Sequence, residues 1–360
     1  MKIGIYITDI TRGAGTERVA VSVANHLAEK GHQVTIISFN TKTGNPFYDV
    51  TPAVRIYHLG LNSYMNRSVC YKWYSYFRNL LTAYFEMKRF RFDVIVGTSR
   101  NVNVLALMYR HKKQIVWGCE HFSCNAPLVG ILRLFRNWAY RFLDELIVLT
   151  EVDCIYYKNK GIKACLVPNA LPFEPMSSVN RKEKIVLAIG RHSKEKAFDK
   201  LIRIWSKTKC KDSGWKLYII GNGDLRGYNY RIVEDLHLKD SVEFIDPTPE
   251  IRQYYISSSI YAMTSLYEAL PMVLLEAKAN EIPLVSYDCE TGPKVIVKNN
   301  KDGFLIPFDN EKEFVRKLDL LAGNTALRMK MGKAALEDSY NYTQGKIMLL
   351  WDELLSKYDR

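Results

Sequence analysis

Ile185-Val186-Leu187-Ala188-Ile189-Gly190 decides how this chain is read. It is a short apolar run that ends on glycine, as a buried strand does where it opens onto a turn. Before it lies the polar, proline-containing tract Phe173-Glu174-Pro175-Met176-Ser177-Ser178-Val179-Asn180-Arg181-Lys182, which reads as a linker. After it the same rhythm recurs in Trp215-Lys216-Leu217-Tyr218-Ile219-Ile220-Gly221, Ser241-Val242-Glu243-Phe244-Ile245, Ile260-Tyr261-Ala262-Met263 and Ile282-Pro283-Leu284-Val285-Ser286. The first half runs the pattern once already. Strands are expected at 2–7, 33–38, 93–96, 115–117, 145–149 and 164–167, with a helix near 16–30 that Gly31 terminates at C′. Apolar strands alternating with helices predict two α/β domains, each a mostly parallel sheet covered on both faces, with a cleft between them. The expected boundaries are 1–175 and 176–343, with a helix in 344–360 crossing back onto the first domain.

The size and composition suit that plan. The chain has 360 residues, 48% hydrophobic and 25% charged, enough for two ordinary cores. Its seven cysteines form no Cys-x-x-Cys pair, and Met1-Lys2 leads directly into a strand-like run. Both features point to a reducing, cytoplasmic setting. No window offers the ~20 apolar residues of a membrane span. The net charge is +13 and lopsided: residues 1–175 carry 22 Lys/Arg against 12 Asp/Glu. Such an excess serves general solubility, or attracts an anionic polymer or membrane surface.

Chemistry is most legible in Glu268-Ala269-Leu270-Pro271-Met272-Val273-Leu274-Leu275-Glu276. Pro271 suits a helix start, where its missing N–H costs nothing. Glu268 then precedes the helix and Glu276 lies inside it. The unpaired N–H groups between them offer a phosphate site, flanked by carboxylates that can accept sugar hydroxyls. Gly190-Arg191-His192-Ser193-Lys194-Glu195-Lys196 brings two cations to a strand end, where Arg191 and Lys196 can hold a diphosphate and stabilise it as it leaves. Gly221-Asn222-Gly223-Asp224 closes the next strand, at the sheet edge where open parallel sheets bind ligands. Asp246-Pro247-Thr248-Pro249 can flank a nucleobase. Each of these loops also reads as an ordinary solvated turn.

In the first half, Arg12-Gly13-Ala14-Gly15-Thr16-Glu17-Arg18 follows the opening strand, and Gly15 and Thr16 let backbone approach a ligand. The loop matches neither a dinucleotide fingerprint nor a Walker loop. Glu120-His121 follows the strand at 115–117, and His121 is a candidate for contacting a sugar or moving a proton; a structural histidine is the other reading. His121 beside Cys119 and Cys124 lacks the second spaced pair that zinc needs, and Asp288 with Glu290 lies beside no phosphate loop, so no metal is expected. Two tracts mix rings with cations: Tyr64 to Phe92, and Leu128-Val129-Gly130-Ile131-Leu132-Arg133-Leu134-Phe135-Arg136-Asn137-Trp138. Helices covering a sheet explain them, as does an anionic membrane interface. No nucleic-acid motif accompanies them, and nucleic acid is not an expected partner.

Taken together, the motifs resemble the retaining glycosyltransferases of family 4, with the GT-B fold. The likeness runs over nearly the whole chain and rests on Glu268-x7-Glu276 followed by Ala277. Gly15-Thr16-Glu17-Arg18, Glu120-His121, Val167-Pro168-Asn169, Gly190-Arg191 with Lys196, and Gly221-Asn222-Gly223 support it in order. The resemblance implies two Rossmann-like domains, the first taking the acceptor and the second the nucleotide sugar. It implies that Arg191 and Lys196 hold the donor diphosphate, Glu276 the ribose, and Glu268 the transferred sugar. Leu270, Pro271, Met272 and Val273 would supply backbone donors, with Ala269 beside them at the donor; His121 would sit near the sugar's 6-position, with Gly15 and Thr16 approaching the diphosphate. Ala269 stands where the family has glycine, and its Cβ bears on that turn. The loop Asp288-Cys289-Glu290-Thr291-Gly292-Pro293 resembles members that use UDP-hexoses or UDP-N-acetylhexosamines.

The implied activity is transfer from a UDP-sugar, with no obligatory cofactor, onto a lipid-linked glycan or lipopolysaccharide core. The implied setting is the cytoplasmic face of the cell membrane, in polysaccharide, O-antigen or capsule synthesis. A noncatalytic glycan- or phospholipid-binding protein and a nucleotide-dependent oxidoreductase are the other readings.

Overall fold

The computed structural model describes residues 1–13, 15–40, 43–61, 78–79, 81–124, 130–177, 183–289 and 291–358. The aromatic-basic residues 64–77, Leu128, Val129, the end of the linker from 178 to 182, and Glu290 lie outside the described residues. By packing, the chain divides into two units: Met1–Pro168 together with Met348–Arg360, and Asn169–Ile347. Residues 169–175, expected with the first domain, are held by the second. Leu171 N donates to Tyr342 O, and Arg252 donates to Glu174 O while its guanidinium covers the Phe173 ring at 4.5 Å.

The first unit carries seven strands: β1 Lys2–Ile7, β2 Gln33–Ser38, β3 Arg55–His58, β4 Val94–Gly97, β5 Ile115–Glu120, β6 Glu145–Val148 and β7 Ala164–Leu166. All pairs are parallel, in the order β3-β2-β1-β4-β5-β6-β7. The second unit carries six: β8 Ile185–Ile189, β9 Lys216–Ile220, β10 Val242–Ile245, β11 Ile260–Met263, β12 Leu284–Asp288 and β13 Gly303–Pro307. They are again parallel, in the order β10-β9-β8-β11-β12-β13. Each unit is thus a Rossmann-like α/β sheet. The expected strands are present, and β5 runs three residues further than expected, so Glu120 ends the strand instead of following it.

β3 and β13 were not expected. β3 is an outer strand whose residues are only partly covered, so it lacks an apolar signature. β13 opens with Gly303, where a Cβ would come within 2.3 Å of Leu284 O. Only glycine lets the outer strand pair that closely with β12.

Burial follows the helical period. On the helix Phe198–Ser206, Leu201, Ile202, Ile204 and Trp205 are fully buried in the second core. Each such side chain contributes about 1.5–3 kcal/mol. The helix Gln344–Ser356 buries Met348, Trp351, Leu354 and Leu355, spaced to form one stripe. Trp351 meets Trp117 at 6.4 Å, and Asp352 meets His26 at 2.8 Å. No helix among the described residues is long and apolar enough to cross a membrane.

Candidate active site

In each sheet the strand order reverses direction once, between β1 and β4 and between β8 and β11. The crossover helices leave opposite faces there, opening a crevice at the carboxyl ends of the strands. In the second unit the candidate residues converge on that reversal. Gly190 N donates to Ile220 O at 3.0 Å, and His192 N donates to Asn222 O at 2.9 Å, so the loops after β8 and β9 run against each other. Gly221 and Gly223 make this possible. Their φ angles are +149° and +150°. A Cβ on Gly221 would lie 1.9 Å from Gly190 O, and one on Gly223 2.6 Å from His192 O. No L side chain fits either position.

His192 supports the loop from beneath. It is fully buried between Phe198 and Phe244, at 5.1 and 5.3 Å, and its Nδ1 lies 2.9 Å from Asn229 Nδ2. The amide donates, so Nδ1 accepts. Burial, aided by the Arg226 charge, lowers its pKa to about 4, and the ring is neutral at pH 7.

Above this floor stand the cations. Arg191 is exposed, with its Cγ 2.8 Å from the place of a Gly223 Cβ. Lys196 Nζ lies 2.5 Å from Glu268 Oε1. The loop carrying Lys196 is fastened to the exit of β11. Thr264 Oγ1 donates to Ala197 O at 3.1 Å, and Leu266 N donates to Glu195 O at 2.8 Å. Glu268 is fastened in turn, since its carbonyl accepts from Gly292 N at 3.3 Å and from the Thr291 hydroxyl. A Cβ on Gly292 would come within 2.5 Å of Ala269 O. Ala269 itself is not among the residues with positive φ, so the alanine fits its turn unstrained. Pro271 is the N-cap, at φ −70° and ψ 101°, and Met272 opens the helix Met272–Lys278. Pro271 shapes the turn and supplies no donor.

Glu276 lies within that helix and is buried, accepting from Tyr255 Oη at 2.7 Å. Tyr255 stacks on Tyr261, whose Oη accepts from Ile189 N at 3.1 Å. Glu276 is therefore linked to the end of β8, the strand that leads to Arg191. Two residues on, Lys278 is fully buried, 2.8 Å from Asp302 and 2.7 Å from Ile296 O, and also pairs with Asp338. A buried cation with two carboxylates fixes the helix in one position. Tyr255 carried no signal in the sequence, and Tyr261 stood out there only as part of a strand.

Gly15, Thr16 and His121 belong to the first unit. Gly15 and Thr16 open the helix Gly15–Glu29, whose Val19 and Ala20 line a small recess with His121, Thr98 and Trp351. Burial lowers His121 to a pKa of about 4, leaving a neutral imidazole. Just before it, Glu120 is buried in a polar network. Arg100 Nε donates to both of its oxygens at 3.2 Å, Phe122 N to Oε1 at 3.1 Å and Tyr140 Oη to Oε2 at 3.2 Å. Burial raises the Glu120 pKa, opposed by the charges of Arg100 and Arg136. Among the described residues no cluster of three or more His, Cys, Asp or Glu side chains is placed to hold a metal ion.

Two family models match successive stretches of the chain: Glycosyltransferase Family 4 over residues 13–174 and Glycosyl transferases group 1 over residues 173–338. The amylovoran biosynthesis glycosyltransferase AmsD of Erwinia amylovora is 31% identical over 99% of this chain and 99% of its own length. An undecaprenol-linked-glycan α-1,4-N-acetyl-D-galactosaminyltransferase of Campylobacter jejuni is 28% identical over 99% of both chains. Among solved structures, S. aureus TarM, crystallised with UDP among its ligands, superposes with a TM-score of 0.82 over all of both chains at 16% identity. The chain belongs to the glycosyltransferases with the GT-B fold, and the oxidoreductase reading falls.

Proposed function

We propose that this glycosyltransferase moves a hexose or N-acetylhexosamine from a UDP-sugar, with retention of configuration, to a lipid-linked glycan in the building of a bacterial surface polysaccharide. One observation carries the reading: Lys196 and Glu268 pair at 2.5 Å beside the exposed Arg191, where strand order reverses in the second unit. Lys196 holds a carboxylate in this structure. A diphosphate is the stronger partner for it, so donor binding transfers Lys196 to phosphate and frees Glu268 to accept from a sugar hydroxyl.

The second unit takes the nucleotide sugar. Arg191 and Lys196 neutralise the diphosphate as the anomeric C–O bond breaks, an effect worth most when the charge is developing. Glu276, positioned by Tyr255, accepts from the ribose hydroxyls. Leu270 to Val273 shape the turn that faces the phosphates, and Gly221, Asn222 and Gly223 keep side chains out of their way. The first unit takes the acceptor, with Gly15 and Thr16 at a strand-to-helix turn and His121 as a neutral hydrogen-bonding partner for the sugar. The acceptor oxygen forms its bond to the anomeric carbon on the face the diphosphate leaves, and its proton passes to the departing phosphate oxygen. No carboxylate nucleophile is needed.

The relatives support the donor and acceptor classes: one acts in amylovoran biosynthesis, another on an undecaprenol-diphosphate glycan, and TarM binds UDP. Melting shifts with UDP-, GDP- and ADP-sugars test the donor. Incubation with extracted lipid-linked glycans then tests transfer, read by product mass and by the anomeric coupling in NMR. A shift with GDP-sugars alone refutes the donor, and a β-linked product from an α-linked donor refutes retention.

A further inference from the structure

Between Met1 and Leu61, Phe47 is the one large apolar side chain exposed among the described residues, at 60%. It does not sit on a loose tip. Its N–H donates to Ile10 O at 3.2 Å, and its ring lies 5.1 Å from that of Tyr48, which the Arg18 guanidinium covers at 5.3 Å. A little further on, the Asn25 side chain donates to Asp49 O at 2.9 Å and accepts from Thr51 N at 3.0 Å, so the helix Gly15–Glu29 holds the segment in place. The ring tip presses on Gly13, where a Cβ would come within 2.7 Å of Phe47 Cζ. Glycine at 13 makes room for the ring. An exposed ring on a fixed backbone loses little freedom when a ligand covers it.

Glu17 adjoins the same loop. It lies in the first turn of that helix, 6% exposed, with its carboxyl folded back onto its own backbone N–H. Its Oε2 is buried and has no hydrogen-bond partner among the described residues. Burial raises its pKa, against the pull of that N–H and of the Arg12 charge. Native folds leave few buried polar atoms unpaired, and each one destabilises the chain that carries it. The groups nearby are engaged elsewhere. Asp9 Oδ1 accepts from Thr11 N at 3.0 Å and from Thr11 Oγ1 at 2.7 Å, and Arg12 faces Asp9 at 3.7 Å. A hydroxyl brought from outside would complete Glu17. The exposed ring and the unpaired oxygen thus both adjoin the loop 9–13, at the carboxyl end of β1 where the first sheet reverses its strand order. A pyranose has the matching chemistry, a face of polarised C–H groups for the ring and an edge of hydroxyls for the carboxyl. A protein partner would need a wider apolar patch than one ring.

We infer that the loop 9–13 carries the acceptor-sugar subsite, where the acceptor glycan lays a pyranose face on Phe47 and gives a sugar hydroxyl to Glu17 Oε2. The inference deepens the proposed function, since it rests on the first unit taking the acceptor, but its first test needs no transfer. The full-length protein, with UDP present, is mixed with the methyl α-glycosides of glucose, galactose, N-acetylglucosamine and N-acetylgalactosamine, and saturation-transfer NMR reads contact. At least one glycoside is expected to receive saturation. Phe47→Ala and Glu17→Gln should each weaken its binding ~10-fold, and Phe47→Trp should keep it. With extracted lipid-linked glycans as acceptor, the same two variants should raise the acceptor KM by a similar ~10-fold while the UDP-induced melting shift matches wild type. Glu17→Gln should melt no lower than wild type, because a residue kept for a ligand adds nothing to the fold. Contact undiminished in either variant overturns the proposal, as does the absence of contact with all four glycosides. Glycoside contact that depends on Phe47 and Glu17, without any transfer to lipid-linked glycans, would sink the acceptor class in the proposed function and leave the subsite standing.

Discussion

Glu120 and Glu268 both sit beyond or at the carboxyl end of a parallel strand, and each faces a cation. They are otherwise opposites. Glu120 is 2% exposed and takes hydrogen bonds from a guanidinium, a backbone N–H and a tyrosine. Every lone pair it could offer a ligand is already engaged in the scaffold. Glu268 is half-buried, and its carboxylate pairs with one flexible amine, while its backbone is pinned by Thr291 and Gly292. Its position is fixed and its partner is exchangeable. An exchangeable partner suits a group that is to meet a ligand, and a fully engaged carboxylate suits a scaffold built around buried arginines.

The contrast gives different failures for the two. Glu120→Ala should cost about 3–5 kcal/mol of stability, because Arg100 and Arg136 lose their counter-charge; denaturant unfolding measures it. UDP affinity of the molecules that remain folded should be unchanged. Lys196→Ala should do the reverse, lowering turnover ~10²–10³-fold while the unfolding curve hardly moves. A stability loss for Lys196→Ala as large as that for Glu120→Ala would erase the distinction. Gly221→Ala should fall between them, destabilising by about 1–3 kcal/mol and weakening donor binding together, since the Gly190 and Gly221 loops touch. Glu276→Ala should weaken UDP binding ~10-fold by calorimetry, and Tyr255→Phe less than that, because it only positions the carboxylate.

The smallest effect concerns pH. The folded-state pKa values of His121 and His192 are depressed to about 4. Unfolded, each binds its proton near 6.5. Below that value the unfolded chain takes up protons that the folded chain refuses, so stability should decline as pH falls from 6.5 towards 4. NMR titration of the two imidazoles checks this directly, and midpoints near 6.5 would contradict it.

The candidate residues of the second unit were legible in the sequence because their motifs are local. A strand end, a glycine and a cation within seven residues announce themselves at Gly190–Lys196, as do two glutamates on either side of Pro271. What holds those residues is non-local and left no trace. Tyr255 reaches Glu276 from another helix, and Thr291 reaches Glu268 from 23 residues away. The first unit shows the same limit more severely. Arg136 reads as one cation among rings, and nothing in the order of residues shows that it turns inward while Ile131 and Leu134 turn outward. Its partners are the neighbouring Asn137 and the ring of Tyr157 on a later helix. β3 was missed for a related reason, since an outer strand is held by one neighbour and needs little apolar character of its own; β13 was missed although Phe304 and Ile306 are apolar and buried.

The first unit is assembled from two stretches of chain, with the whole of the second unit encoded between them. During synthesis Trp117 must therefore wait for Trp351, and the first fold stays open until the second has been made. A gene fragment ending at Pro168 would leave that seam uncovered, with the stripe from Met348 to Leu355 missing from it. Anyone wishing to study the first unit alone should graft residues 348–358 back onto it through a short linker rather than cut the gene in two.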